Sequence, residues 1–98
     1  MIKIQFSGQN IEITPALKIF VEEKSAKLQH HFNQISSMTV TLLVEKDQQT
    51  AEGAITYNAF SFHAKSVSTD MYHSIDEMIN KLDSQLLKQK GKMEHHQK

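Results

Sequence analysis

Apolar residues return along this chain with two different periods, and the alternation of those periods lays out its elements. Ile2, Ile4 and Phe6 alternate with polar residues, which predicts a strand with one buried face. Beyond the turn cluster Ser7-Gly8-Gln9-Asn10 the period lengthens. Leu17, Phe20, Val21, Leu28 and Phe32 then predict a helix from about Pro15 to Phe32. Thr14-Pro15 supplies an N-cap and a first helical residue whose missing N–H costs nothing there. Asn33 and Ser36-Ser37 mark the exit.

The short period then comes back. Met38 to Val44 reads as a strand, Lys46 to Thr50 as a polar turn, and Ala51 to Tyr57 as a weaker strand. Asn58-Ala59 is the next turn, and Phe60 to Val67 the last strand. Met71, Ile75, Met78, Ile79, Leu82 and Leu86 follow at spacings of three and four, giving a helix from Met71 to about Gln89 with Ser68-Thr69-Asp70 as capping residues. Gly91 reads as its stop and Met93 to Lys98 as a frayed tail.

The order is β-α-β-β-β-α, an α+β fold. A strand–helix–strand opening favours a right-handed crossover with the first two strands parallel, and short turns make the later strands antiparallel. Two amphipathic helices and one four-stranded mixed sheet bury most simply as two layers, both helices on one face. The other face then carries Thr39, Thr41, Glu45 and Thr56 to solvent.

Composition narrows the function. A chain of 98 residues is expected to form one domain, spanning 1–98. It has no cysteine, hence no disulfide framework or thiolate site. The segment MIKIQFSGQN lacks a secretory pattern, and no apolar run approaches the roughly 18 residues a bilayer span needs. A soluble cytoplasmic protein with no membrane partner is the expectation. The formal net charge of zero hides a polarity: residues 1–78 hold six Lys against nine acids, and residues 79–98 hold five Lys against two. All eleven cations are lysine, which reads phosphate positions better than base edges.

Lys81, Lys88 and Lys92 stack on one line of the second helix, roughly 120° round from its apolar stripe. Lys24, Lys27 and His31 lie three and four apart on the first helix, with Lys18 further round. Packed side by side, the helices are expected to bring these rows together as the rims of a positively charged groove, each phosphate contact adding salt-dependent affinity. A solvated helix surface is the ordinary role of any one such lysine.

Catalysis finds less support. The adjacent pairs His30-His31 and His95-His96 diverge by about 100° on a helix and chelate one ion poorly. Neither a metal nor a cofactor is expected. His63 and Asp70 lack a nucleophile elbow, a phosphate loop or paired carboxylates beside them, so Asp70 is read as a helix cap and His63 as a sheet-surface residue. Tyr57 and Tyr72 could stack on bases, but neither sits in an RNP-type aromatic cluster, so core or rim packing is the assignment. The chain is not expected to be an enzyme.

Gly8-Gln9-Asn10-Ile11-Glu12-Ile13-Thr14, Ala16-Leu17, Phe20-Val21, Lys24 and Ala26-Lys27-Leu28 resemble ribosome hibernation-promoting factors. So do Val44-Glu45-Lys46, His63-Ala64, Asp70-Met71-Tyr72, Ile75-Asp76, Lys81-Leu82, Gln85-Leu86, Lys88, Lys90 and Lys92, in one register over nearly the whole chain. The resemblance implies a fold similar to double-stranded-RNA-binding domains. It implies binding to 16S ribosomal RNA of the 30S subunit, in the 30S or 70S ribosome, within the channel where messenger and transfer RNA meet. Such proteins silence ribosomes under stress, and short members act with ribosome modulation factor to pair 70S ribosomes into inactive 100S dimers. Lys18, Lys24, Lys27, Lys81, Lys88 and Lys92 fall on basic positions of the family pattern, and His31, Gln85 and Lys90 complete the expected RNA-contacting set. Off the ribosome a monomer is expected.

Two positions depart from the pattern: Ser84 stands where relatives often carry arginine, and Gly91 replaces a helix-compatible residue. Ending at Lys98, the sequence is read as the short, pairing-promoting type, without the dimerisation domain of long members or the tail of the related inhibitor that opposes pairing. Three alternatives stay open: a general double-stranded-RNA-binding module, that related inhibitor, and a small histidine-dependent metallohydrolase.

Overall fold

A computed structural model of the chain describes residues 3–31, 35, 37–57 and 60–95; for His31 and residues 90–95 it describes the course of the backbone. Ile2, Phe32, Asn33, Ser36, Asn58-Ala59 and residues 96–98, all assigned roles above, lie outside the described residues. The elements are β1 (Lys3–Gln9), α1 (Pro15–His31), β2 (Ser37–Glu45), β3 (Gln48–Tyr57), β4 (Phe60–Ser68) and α2 (Met71–His95). This is the expected β-α-β-β-β-α order.

The four strands form one sheet in the order β1-β2-β3-β4. β1 runs parallel to β2, and the β2–β3 and β3–β4 pairs are antiparallel. Alternation along the strands sends Met38, Val40, Leu42, Ala51, Ile55 and Ala64 into the core. Their neighbours Thr39, Glu52, Thr56, His63 and Lys65 are exposed on the other face. From the helices, Leu17, Val21 and Leu28 of α1 and all six stripe residues of α2 are buried among the inward strand residues. Each such aliphatic side chain contributes about 1.5–3 kcal/mol when fully removed from water.

Both helix starts follow the capping logic. The Thr14 hydroxyl oxygen accepts from the Leu17 amide at 3.2 Å. The Asp70 carboxylate accepts from the Tyr72 amide at 3.2 Å. A hydroxyl chain then fastens α2 to the sheet. Ser74, fully buried, donates to the Gln49 carbonyl at 2.7 Å and meets the Ser68 hydroxyl at 2.7 Å. These bonds let α2 bury a polar side chain without leaving it unpaired.

α2 rests on β3 and β4 and sits close to the sheet. At Gly53 a Cβ would lie 2.5 Å from Met78 Sδ and 3.1 Å from a Leu82 methyl, so the helix occupies the volume a side chain would need. Three boundaries differ from the sequence reading. β1 continues through Ser7, Gly8 and Gln9, expected as a turn, because they pair in register with Thr41, Leu42 and Leu43 of β2. β3 begins at Gln48, because Glu45 and Gln48 pair across a two-residue turn in which Lys46 takes a positive φ of 54°. α2 passes through Gly91 to His95, and no described glycine adopts the positive φ with which glycine ordinarily ends a helix.

Candidate nucleic-acid interface

α1 and α2 lie side by side and parallel, since successive turns of one meet successive turns of the other. Phe20 packs edge to face on Tyr72, with ring centroids 4.9 Å apart and planes at 87°. One turn on, Lys24 Nζ stands 3.4 Å from the Asp76 carboxylate. A turn further, the Lys27 ammonium donates to the Asn80 side-chain carbonyl. Lys24 Nζ also lies over the Phe20 ring, 5.4 Å from its centroid. Phe20, Lys24 and Lys27 share a flank of α1, as Tyr72, Asp76 and Asn80 share a flank of α2, because residues three and four apart align on a helix.

The other flank of α2 overhangs the edge of the sheet. Lys81 Nζ donates to the Lys65 carbonyl at 2.8 Å, and Gln85 Nε2 donates to the His63 carbonyl at 2.6 Å. β4 is an edge strand, so alternate carbonyls point away from β3 and need partners. Lys81 and Gln85 supply them. Lys88, two turns beyond Lys81 on the same flank, is exposed. Glu77 on this side accepts from the Ser66 hydroxyl at 2.6 Å. Lys18 sits apart from both groups on the far side of α1, its Nζ 5.9 Å from the centroid of the β1 ring Phe6.

The two lysine rows therefore do not face each other across a groove as the sequence spacing predicted. α2 stands between them, with Lys24 and Lys27 at the seam with α1 and Lys81 and Lys88 on the β4 side. Both remain on the helical layer, whereas on the sheet's outer face Lys65 has Glu52 as its register partner. Lys90 and Lys92 lie within α2 and His31 ends α1, and their side chains are outside the description.

Sequence reasoning missed the seam's other half. Asp76 and Asn80 follow Tyr72 at intervals of four, the spacing that could have marked them as one flank. Tyr72, assigned to packing, is 41% exposed. Among the described residues no group of three or more His, Cys, Asp or Glu is gathered for a metal ion, and no helix is long and apolar enough to cross a membrane.

Known proteins share both the sequence and this geometry. Over 94 residues, covering 96% of this chain and 99% of the relative, it is 40% identical to the ribosome hibernation promoting factor of Escherichia coli. The factor of the same name from Azotobacter vinelandii is 38% identical over 90 residues, 92% of this chain and 84% of that one. A ribosomal subunit interface protein from Coxiella burnetii superposes with a TM-score of 0.81 at 28% identity, covering 93% of this chain and 99% of that one. The Protein Y N-terminal domain of Thermus thermophilus gives 0.79 at 26% identity, covering 87% and 94%. The family model for Sigma 54 modulation protein / S30EA ribosomal protein matches residues 4–94. This chain belongs to that family, whose relatives include ribosome hibernation promoting factors and ribosomal subunit interface proteins.

Proposed function

We propose that this protein is a cytoplasmic hibernation factor that binds the small ribosomal subunit through its helical layer. It engages 16S ribosomal RNA in the decoding channel, blocks the messenger and transfer RNA sites under stress, and promotes pairing of 70S ribosomes into 100S dimers, with ribosome modulation factor as a partner. The observation that carries this reading is the near full-length match to hibernation promoting factors, in which the chain and its relatives cover one another almost completely. The disposition of charge supports it. Lys24, Lys27, Lys81 and Lys88 lie along one layer, and the two helices hold them on a rigid core. Lys18 and Gln85, with the more distal His31, Lys90 and Lys92, complete the proposed contact set along the same helices. Fixed lysines on helices suit phosphates arranged on a folded RNA, and such contacts weaken steeply as salt releases the competing counterions.

A sucrose-gradient profile of ribosomes with and without the purified protein tests the reading. The expected result is co-migration with 30S and 70S particles and growth of a 100S peak when ribosome modulation factor is added. Binding without a 100S peak would assign the protein to the pairing-opposing relatives. Loss of ribosome binding to an excess of free duplex RNA would assign it to general duplex recognition instead.

A further inference from the structure

Tyr72 is the residue whose setting the lysine pattern leaves unexplained. It stands in the first turn of α2 between Met71, which is buried, and His73, which is exposed. Its amide is tied to the Asp70 cap at 3.2 Å. Its ring is braced at 87° by Phe20, and still 41% of the residue faces solvent. An aromatic ring held at its backbone by a cap and at its side by a perpendicular neighbour has little rotamer freedom left to lose on binding.

The surroundings point to a nucleobase as what covers it. The remainder of the seam is polar, with Lys24 and Lys27 against Asp76 and Asn80, and carries one net positive charge. The Tyr72 centroid is 4.9 Å and the Lys24 ammonium 5.4 Å from the same Phe20 ring, which puts a partly exposed tyrosine and a cation within the reach of one nucleotide. Every base offers a π-face to an aromatic side chain, and a neighbouring ammonium answers the adjoining phosphate. A base can reach such a ring only where it is unpaired and turned out of its stack.

We propose that Tyr72 is a stacking platform for an unpaired base of ribosomal RNA, with Lys24 meeting the phosphate next to it. This rests on the ribosome-binding reading and adds to it a contact that is not electrostatic. The protein would thereby distinguish an irregular, single-stranded stretch of RNA from the regular duplex that phosphate contacts alone would accept.

The test compares binding to purified 30S subunits for the parent, Tyr72→Phe and Tyr72→Leu over a range of salt. Tyr72→Phe keeps the ring and is expected to bind within about twofold of the parent. Tyr72→Leu keeps an apolar side chain against Phe20 but no π-face, and is expected to bind about tenfold more weakly. Its salt slope should match the parent's, because stacking releases no counterions. Equal binding by the leucine variant, or a shallower slope, overturns the proposal. A variant-free measurement runs beside it: ultraviolet irradiation of the parent complex should crosslink the Tyr72 peptide to a base, and crosslinks confined to other peptides overturn the proposal too. Failure of the parent to bind 30S subunits at all would instead defeat the ribosome-binding reading itself.

Discussion

Lysines line both flanks of α2, from α1 on one side and from α2 itself on the other, and they are used differently. On the α1 side, Lys24 and Lys27 reach side chains, an Asp76 carboxylate and an Asn80 amide, that water can replace when a stronger anion arrives. On the β4 side, Lys81 and Gln85 reach backbone carbonyls of an edge strand. Those carbonyls would otherwise offer a template for another chain's strand. A lysine on the first flank is available to a ligand for about the cost of an exposed ion pair, whereas Lys81 is also part of how the sheet ends. Helical spacing in both rows thus conceals one row that is chiefly for binding and another that also serves the fold.

The largest effect follows from reversing charge on the β4 side. Lys81→Glu, Lys88→Glu and Lys92→Glu together should reduce co-sedimentation with 30S subunits by more than about 100-fold at moderate salt, since phosphate contacts are lost and repulsion replaces them. Because Lys81 also bonds the β4 edge, this variant should melt a few degrees lower while remaining folded, a loss on the order of 1 kcal/mol. Normal binding by a folded triple variant would remove this flank from the interface.

Both flanks depend on how closely α2 sits on the sheet, and Gly53 sets that distance. Gly53→Val places a branched side chain where Met78 Sδ and a Leu82 methyl already stand, at 2.5 and 3.1 Å from the Cβ position. Met78 and Leu82 are fully buried, so neither can swing into solvent to make room. A loss of about 3 kcal/mol in urea denaturation is expected. A loss under about 0.5 kcal/mol would mean that α2 moves easily over β3, and that neither flank is held as rigidly as its bonds imply.

Most of the fold was legible because each element carries its own period and its own cap. Thr14 and Asp70 cap the helices they were expected to cap, and the strands alternate as read. The errors arose where tertiary contacts outweigh local polarity. Gln48, Gln49 and Thr50 look like a turn, yet they continue β3. There Gln49 donates to the Thr69 carbonyl and gives its own carbonyl to Ser74, while Thr50 is buried between its register partners Leu43 and Val67. Gly91 looks like a stop, but a glycine ends a helix by its conformation, and this one stays helical. The lysine rows were visible as spacings along single helices. Which neighbour each row faces depends on how the helices are rotated against each other, and a one-helix pattern contains no information about that.

The smallest expected effect distinguishes the flanks most sharply. Asp76→Asn leaves the seam's shape nearly unchanged and removes the carboxylate paired with Lys24. Both side chains of that pair are well exposed, at 40% and 38%, so its loss should change stability by less than about 0.5 kcal/mol. The ammonium no longer has to leave a carboxylate to meet a phosphate, and the local potential becomes more positive. Affinity for 30S subunits at low salt should therefore rise about two- to threefold, with a salt slope steeper by up to about 1. Tighter binding that disappears when Lys24→Ala is added to Asp76→Asn places Lys24 in the contact, because a gain from the lost negative charge alone would persist in the double variant. Weaker binding would show that Asp76 holds Lys24 in position for the RNA, and the α1 flank would then resemble the β4 flank after all.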